Sequence, residues 1–136
     1  MNTFVNISEA GTIAIHSLAL IAGSDELLNA EKIAERAKFS KHHLSKVMHL
    51  LVRHNYLESV RGPGGGYRLK KKPSDITLLE LVELLDGAVG NFECAVSCAE
   101  CYFEDCVFGN FPHRFTAEFR QFLAEKTLQD FAVKRI

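Results

Sequence analysis

The chain has 136 residues, 47% hydrophobic and 24% charged, a composition that reads as globular rather than disordered, and a length that allows one core without disulfide or metal staples. No apolar run is long enough to cross a bilayer. The stretch Ile13–Ala22 is short, carries His16 and Ser17, and lacks the basic flank and cleavage pattern of a secretory signal, so the expectation is a cytoplasmic protein with reduced thiols and no membrane partner. The net charge of −1 disfavours nucleic acid until its distribution is read. Residues 29–72 hold eleven Lys or Arg against Glu31, Glu35 and Glu58, a surplus of +8, and the remainder of the chain carries −9. A basic block inside an acidic chain is the footprint of an anion-binding module; a solvated charged surface is the alternative.

In chain order, Ser8 can cap a first helix reaching Ala22, with Ile13, Ala14, Leu18 and Ile21 on one face. Gly11 weakens its first turn, and Gly23-Ser24-Asp25 ends it. Asn29 caps a short second helix through Ala37, with Ile33, Ala34 and Ala37 facing inward. After the tight connection Lys38-Phe39-Ser40, Ser40 caps a third helix from Lys41 to about His54. Leu44, Val47, Met48 and Leu51 are its buried face. Lys41, Ser45, His49 and Arg53 recur every fourth residue on an exposed stripe, flanked by His42 and Lys46. Two short helices joined by a tight turn, the second with a basic face, predict a helix–turn–helix.

Tyr56–Val60 and Gly66–Leu69 have strand composition, and Arg61-Gly62-Pro63-Gly64-Gly65 between them is a turn by its chemistry. The hairpin reads as a wing, with Arg61 and Arg68 flanking its tip and Lys70, Lys71 and Lys72 behind. Residues Thr77 to Glu80 form a capping box opening a helix to Asp86, stopped by Gly87. Leu78, Leu81, Val82 and Leu85 make its apolar face. A cysteine-bearing loop follows from Asn91 to Asn110. The last element is a long helix from about Pro112 to Val133. Its aromatic stripe of Phe111, Phe115, Phe119 and Phe122, continued by Leu123, calls for a partner, so a dimer helix is inferred; packing onto its own domain is the alternative. The expected fold is mainly α with a small β-hairpin wing: a winged helix–turn–helix over residues 1–90, a cysteine-rich loop over 91–110, and a dimerisation helix over 111–136.

Two constellations carry chemistry. In the basic block, Ser40, Lys41, His42, His43, Ser45 and Lys46 are the candidates for base edges and phosphates in the major groove. Arg61 or Arg68 would reach the minor groove or the backbone from the wing formed by Gly62, Pro63, Gly64, Gly65 and Tyr67. The expected ligand is double-stranded DNA; some winged helices bind protein instead. The glycine run lacks the Lys-Ser/Thr ending of a nucleotide loop and joins two strands, which argues against nucleotide binding.

The second constellation is Cys94, Cys98, Cys101 and Cys106, spaced C-x3-C-x2-C-x4-C with no other cysteine in the chain. Thiolates at this density suit an iron–sulfur cluster, of two or four irons (2Fe-2S or 4Fe-4S), or zinc. Zinc fits less well, because structural zinc sites draw on two separated pairs and only Cys98 and Cys101 form C-x2-C. Metal-free thiols, redox-reactive or inert, are the third reading. Ala95, Val96, Ala99, Tyr102, Phe103, Val107 and Phe108 lie around the thiols and are expected to exclude water. Glu93, Glu100, Glu104 and Asp105 make the loop acidic and disfavour added electrons on a cluster. No catalytic acid–base pair stands out, so an enzyme is not expected; an iron–sulfur electron carrier is the alternative of another class, and it has no use for a wing.

These motifs together resemble the bacterial regulators typified by the iron–sulfur cluster regulator IscR and the nitrite-sensitive repressor NsrR. The most specific piece is the run from Val60 to Leu69, VRGPGGGYRL, followed by Ile76-Thr77-Leu78-Leu79-Glu80 and Asp86-Gly87. Ile33-Ala34-Glu35 through Leu44, and Leu50-Leu51, are also similar. The resemblance implies a homodimer with a winged helix–turn–helix, a cluster loop and a long crossing helix, repressing or activating genes from near-palindromic operators in response to cluster status, nitric oxide, iron, redox state or cysteine supply. Cluster-bearing members use three loop cysteines and a fourth ligand that differs between branches. Cys94 and Cys106 match the outer two; the middle position falls between Cys98 and Cys101. The histidine that one branch places three residues after the last cysteine is Gly109 here. The acidic first-helix ligand of another branch aligns with Thr12, with Glu9 one turn away. Ligation by all four cysteines is the simplest resolution, and three cysteines completed by Glu9, His16 or His42 is the other.

Overall fold

The computed structural model describes residues 7–90 and 100–132. Helix α1, Glu9–Ala22, is capped by Ser8, whose Oγ accepts from Gly11 N at 3.0 Å. The glycine that weakens this turn has a packing reason. A methyl group there would come 2.8 Å from Asp86 Oδ2, the atom that accepts from Ser8 N at 2.9 Å. Helix α2, Ala30–Ala37, is capped by Asn29, whose Oδ1 accepts from Lys32 N at 2.8 Å. Lys38 ends α2 in the left-handed region, φ 61°. Helix α3, Lys41–Arg53, begins at Ser40, which has the extended backbone of a cap but makes no capping hydrogen bond with its side chain.

Strands β1, Leu57–Val60, and β2, Gly66–Leu69, pair antiparallel with Leu57 opposite Leu69 and Val60 opposite Gly66. The tip is a turn in which Gly65 N donates to Gly62 O at 2.9 Å. Pro63 stands at its second position and Gly64 at its third with φ +74°, the arrangement a type II turn demands. The hairpin does not stand alone. Tyr67 N donates to Leu28 O at 2.9 Å, and Leu28 bridges Tyr67 as a third edge. Gly66 permits this approach, because a Cβ there would lie 2.6 Å from the Leu28 carbonyl carbon.

A 3-10 turn at Pro73–Asp75 leads to α4, Leu78–Asp86, opened by the expected capping box: Glu80 N donates to Thr77 Oγ1 at 3.1 Å and Thr77 N to Glu80 Oε2 at 3.3 Å. Helix α5 runs Phe111–Glu125, not to Val133. The chain then turns back on the body. Leu78 N donates to Lys126 O at 2.9 Å, Leu128 N to Ile76 O at 3.0 Å, and Thr77 bridges Thr127. A second 3-10 turn, Leu128–Asp130, sinks Leu128 fully into the core. The apolar periodicity reads through Leu128 because that residue is buried, though against a different surface from the α5 stripe.

One core joins Ile13, Leu18, Leu28, Ile33, Leu44, Met48, Leu51, Leu57, Ile76, Leu81 and Leu128. A smaller cluster of Leu78, Val82 and Leu123, with Phe119 against it, seats α5 on α4. Arg120 fixes their relative position, donating to Val89 O at 2.9 Å and lying 3.5 Å from Glu83 Oε2.

Candidate nucleic-acid interface and cysteine loop

The apolar half of α3 is buried as its spacing predicts, through Leu44, Val47, Met48 and Leu51. That burial turns the opposite face outward. Lys41, His42, His43, Lys46, His49 and Arg53 are exposed and Ser45 is half-buried. Lys41, Lys46 and Arg53 enter no ion pair among the described residues, nor does Arg61 at the exposed wing tip. Unpaired cations on an outward face lose little desolvation energy on meeting phosphate, and displace condensed counterions when they do.

The other predicted members are engaged within the fold. His43 Nδ1 lies 3.2 Å from Glu9 Oε1, which ties the start of α3 to the first turn of α1. Arg68 Nε donates to Glu58 Oε1 at 2.6 Å across the hairpin, so its charge is largely compensated. Tyr67 is half-buried at the hairpin base, where burial raises its phenol pKa. Gly62, Pro63 and Gly64 are exposed and Gly65 is half-buried, so the tip is a low turn without bulky side chains. Behind the wing, Lys71 Nζ sits 4.1 Å from the Tyr56 ring centroid. Tyr56 is buried and its hydroxyl donates to Glu80 Oε1 at 2.8 Å. Burial foremost, then that hydrogen bond and the carboxylate's charge, pushes its pKa up to about 12.

Beside the hairpin lies an open cleft of about 490 Å³, walled by Asn29, Ala30 and Lys32 of α2 and its cap and by Ser59, Val60 and the turn residues. Charge counting places Lys32 in the basic block without distinguishing it; only the docking of the hairpin on Leu28 brings it to the wing.

Of the four cysteines, Cys94 and Cys98 lie outside the described residues; Cys101 and Cys106 are exposed free thiols. Among the described residues no group of three His, Cys, Asp or Glu is placed to hold a metal ion. Of the apolar residues expected to exclude water, Ala95, Val96 and Ala99 lie outside the described residues, and Tyr102, Phe103, Val107 and Phe108 are exposed within one chain. Gly109, where one branch of the resembled family has a histidine ligand, takes φ +59°. The alternative fourth ligands are occupied or exposed. Glu9 meets His43, the His16 ring nitrogen lies 2.7 Å from Thr12 O, and His42 is exposed beside His43. On α5, Phe111 and Phe122 are about half exposed, while Phe119 packs inward.

Comparison with known proteins agrees with this architecture. Residues 7–134 match the Rrf2 family model, described as an iron-dependent transcriptional regulator. An HTH-type transcriptional regulator of Aquifex aeolicus is 30% identical over 127 residues, covering 90% of this chain and 88% of its own. The BadM regulator of Rhodopseudomonas palustris is 45% identical, and NsrR of Bacillus subtilis 42%, each over 69 residues and 51% of this chain. Those two matches span about half the relatives' lengths, 44% and 47%. Among solved structures, CymR, the global cysteine regulator of B. subtilis, superposes with a TM-score of 0.78 at 23% identity over 94% of this chain and 96% of that one. IscR of T. potens gives 0.66 at 25% identity over 93% and 85%. These relatives regulate transcription and are not enzymes. The helix–turn–helix, the glycine-turn wing docked on Leu28, and the match over nearly the whole length place this chain in the Rrf2 family of DNA-binding transcriptional regulators.

Proposed function

We propose that the chain acts as a homodimeric repressor that binds a near-palindromic operator in double-stranded DNA and senses through its cysteine loop. The observation that carries the DNA reading is the outward face of α3, with Lys41, His42 and Lys46, on the same basic segment as a glycine turn presenting Arg61. In this reading the start of α3, from Ser40 through Ser45 and Lys46, enters the major groove. The uncapped hydroxyl of Ser40 is then a donor for bases or phosphate. Arg61 enters the minor groove, the Gly62–Gly65 turn lets the backbone approach, and Arg68, Tyr67 and His43 hold wing and helix in place. Two copies would set the half-sites about one helical turn apart.

For the sensor, four thiolates in thirteen residues are a donor set suited to an iron–sulfur cluster, and the family description names iron. Cys94, Cys98, Cys101 and Cys106 would hold it, and the cluster when bound supplies an iron centre responsive to oxidants, nitric oxide and iron supply. Glu100, Glu104 and Asp105 hold negative charge beside it and oppose added electrons. Ordering residues 91–110 against α5 needs to change operator affinity by a coupling of only about 1–3 kcal/mol to give roughly 5–150-fold regulation. The exposure of Cys101 and Cys106 favours a second reading, a metal-free thiol switch.

Anaerobic purification with iron and sulfide analysis separates the two sensors. Duplexes selected from a random library then give operator affinity with and without the cofactor. Lys41→Ala and Arg61→Ala are expected to weaken that affinity by about 1–3 kcal/mol each with unchanged folding; unaltered affinity in both sinks the DNA assignment.

A further inference from the structure

We propose that the cleft between the wing and the start of α2 is a second DNA-backbone seat, in which Lys32 neutralises a phosphate outside the groove read by α3. The inference rests on the DNA-binding reading above and extends it to a residue that neither motif nor charge counting singles out.

Three observations carry it. First, the cleft is a built feature of fixed geometry. Its two walls are joined where Tyr67 N donates to Leu28 O, one residue before the Asn29 cap, and Gly66 brings the backbones into contact. The hairpin is thereby tied to the residue before the α2 cap. Second, its lining suits a phosphodiester. Among the lining residues, Lys32 is the sole charged side chain and there is no carboxylate; Asn29 and Ser59 add neutral polar groups, and the glycine turn leaves room for a strand to pass. Third, Lys32 is available. Its Nζ lies 3.8 Å from Glu26 Oε1, a loose exposed pair, while Arg36 holds the same carboxylate oxygen at 3.2 Å. If Lys32 swings into the cleft, Glu26 keeps Arg36, so the exchange leaves no carboxylate unpaired.

The contact is independent of sequence, because a phosphate carries no base identity. It is a positioning contact that fixes how deeply the wing tip sits. Each phosphate neutralised contributes about 0.9 to the slope of log K against log salt.

The test compares full-length wild type with Lys32→Gln, Arg36→Gln and Lys41→Ala, on a library-selected duplex and on a scrambled duplex of equal length. Lys32→Gln is expected to lower the salt slope by about 0.9 per subunit and to weaken both duplexes by the same factor. Arg36→Gln removes equal charge one turn further along α2, outside the cleft, and is expected to shift the slope much less. Lys32→Arg is expected to restore it. If Lys41→Ala weakens the selected duplex but Lys32→Gln leaves the slope unchanged, the cleft proposal falls and the DNA reading stands. Equal shifts from Lys32→Gln and Arg36→Gln also overturn it, since they report only a diffuse field. If none of the three variants alters binding to either duplex, the DNA reading itself fails and takes this inference with it.

Discussion

Single residues in this protein serve two structures at once. Glu80 closes the capping box with Thr77 through one carboxylate oxygen and accepts from buried Tyr56 through the other. The box is legible from a Thr and a Glu three apart; the Tyr56 bond is not, because nothing in the spacing links residues twenty-four apart. That bond has a pH signature. Tyr56 is protonated in the fold up to about pH 12 but ionises near 10 when unfolded. A group whose folded pKa is raised stabilises the fold fully below its unfolded pKa, and the contribution fades as pH climbs toward the folded value. Stability is therefore expected to fall between pH 10 and about 12. In Tyr56→Phe, denaturant titrations across that interval should show a shallower decline, the residue of it coming from Tyr67. Lys38 marks the opposite limit. It ends α2 with φ 61°, where a glycine is the ordinary choice, so no sequence signal announces that cap, and the tight connection is legible only from the two helices around it.

At the scale of elements, α1, α4 and the hairpin are readable because caps, turn residues and apolar periods agree on their boundaries, while the turn between α2 and α3 is placed by the two apolar periods around it. The end of α5 is not readable. Leu128 continues an apolar pattern, but it is buried by a chain reversal whose hydrogen bonds run to Ile76 and Leu78, some fifty residues away in the chain, and local periodicity cannot see that. Leu128→Ala is expected to cost about 2–5 kcal/mol by opening a cavity in the core to which Ile13, Ile76 and Leu81 also belong, read as a lowered denaturation midpoint at unchanged slope. The half-exposed Phe111 and Phe122 on α5 set a different expectation. Replacing both with Ser should leave the monomer fold intact and shift sedimentation equilibrium from dimer to monomer. A stable dimer in that variant places the interface elsewhere.

For the whole molecule, charge asymmetry points to an anion-binding module against a net charge that points the other way, and the match to a family of transcriptional regulators agrees with it. Position within the basic block was less legible. Spacing alone assigns Arg68 and Arg61 equal standing, and only the strand register, with Glu58 opposite Arg68, separates the neutralised cation from the available one. The cysteine loop is legible as chemistry and not as geometry: the count and spacing of thiols name a class of donor, while the shielding aromatics are exposed in one chain. Cys94→Ala or Cys106→Ala is expected to abolish the visible absorbance of anaerobically reconstituted protein. Cys98→Ala and Cys101→Ala then report which middle thiol ligates, the spectrum surviving only where the lost thiol is not a ligand. Retention of full absorbance in all four single variants counts against the cysteine-held cluster.

The chain reversal after α5 has a practical corollary for anyone who treats the winged helix–turn–helix, as a reading head, and the cysteine loop as interchangeable modules. Leu128 fills the centre of the reading head from the far side of the cysteine loop, and Thr127 is stitched to Thr77 just ahead of α4. A hybrid that keeps residues 1–90 and takes everything later from another protein inherits a vacant socket in its own middle. Transplants that also carry 126–132, or supply an apolar side chain where Leu128 sits, are the ones with an intact centre.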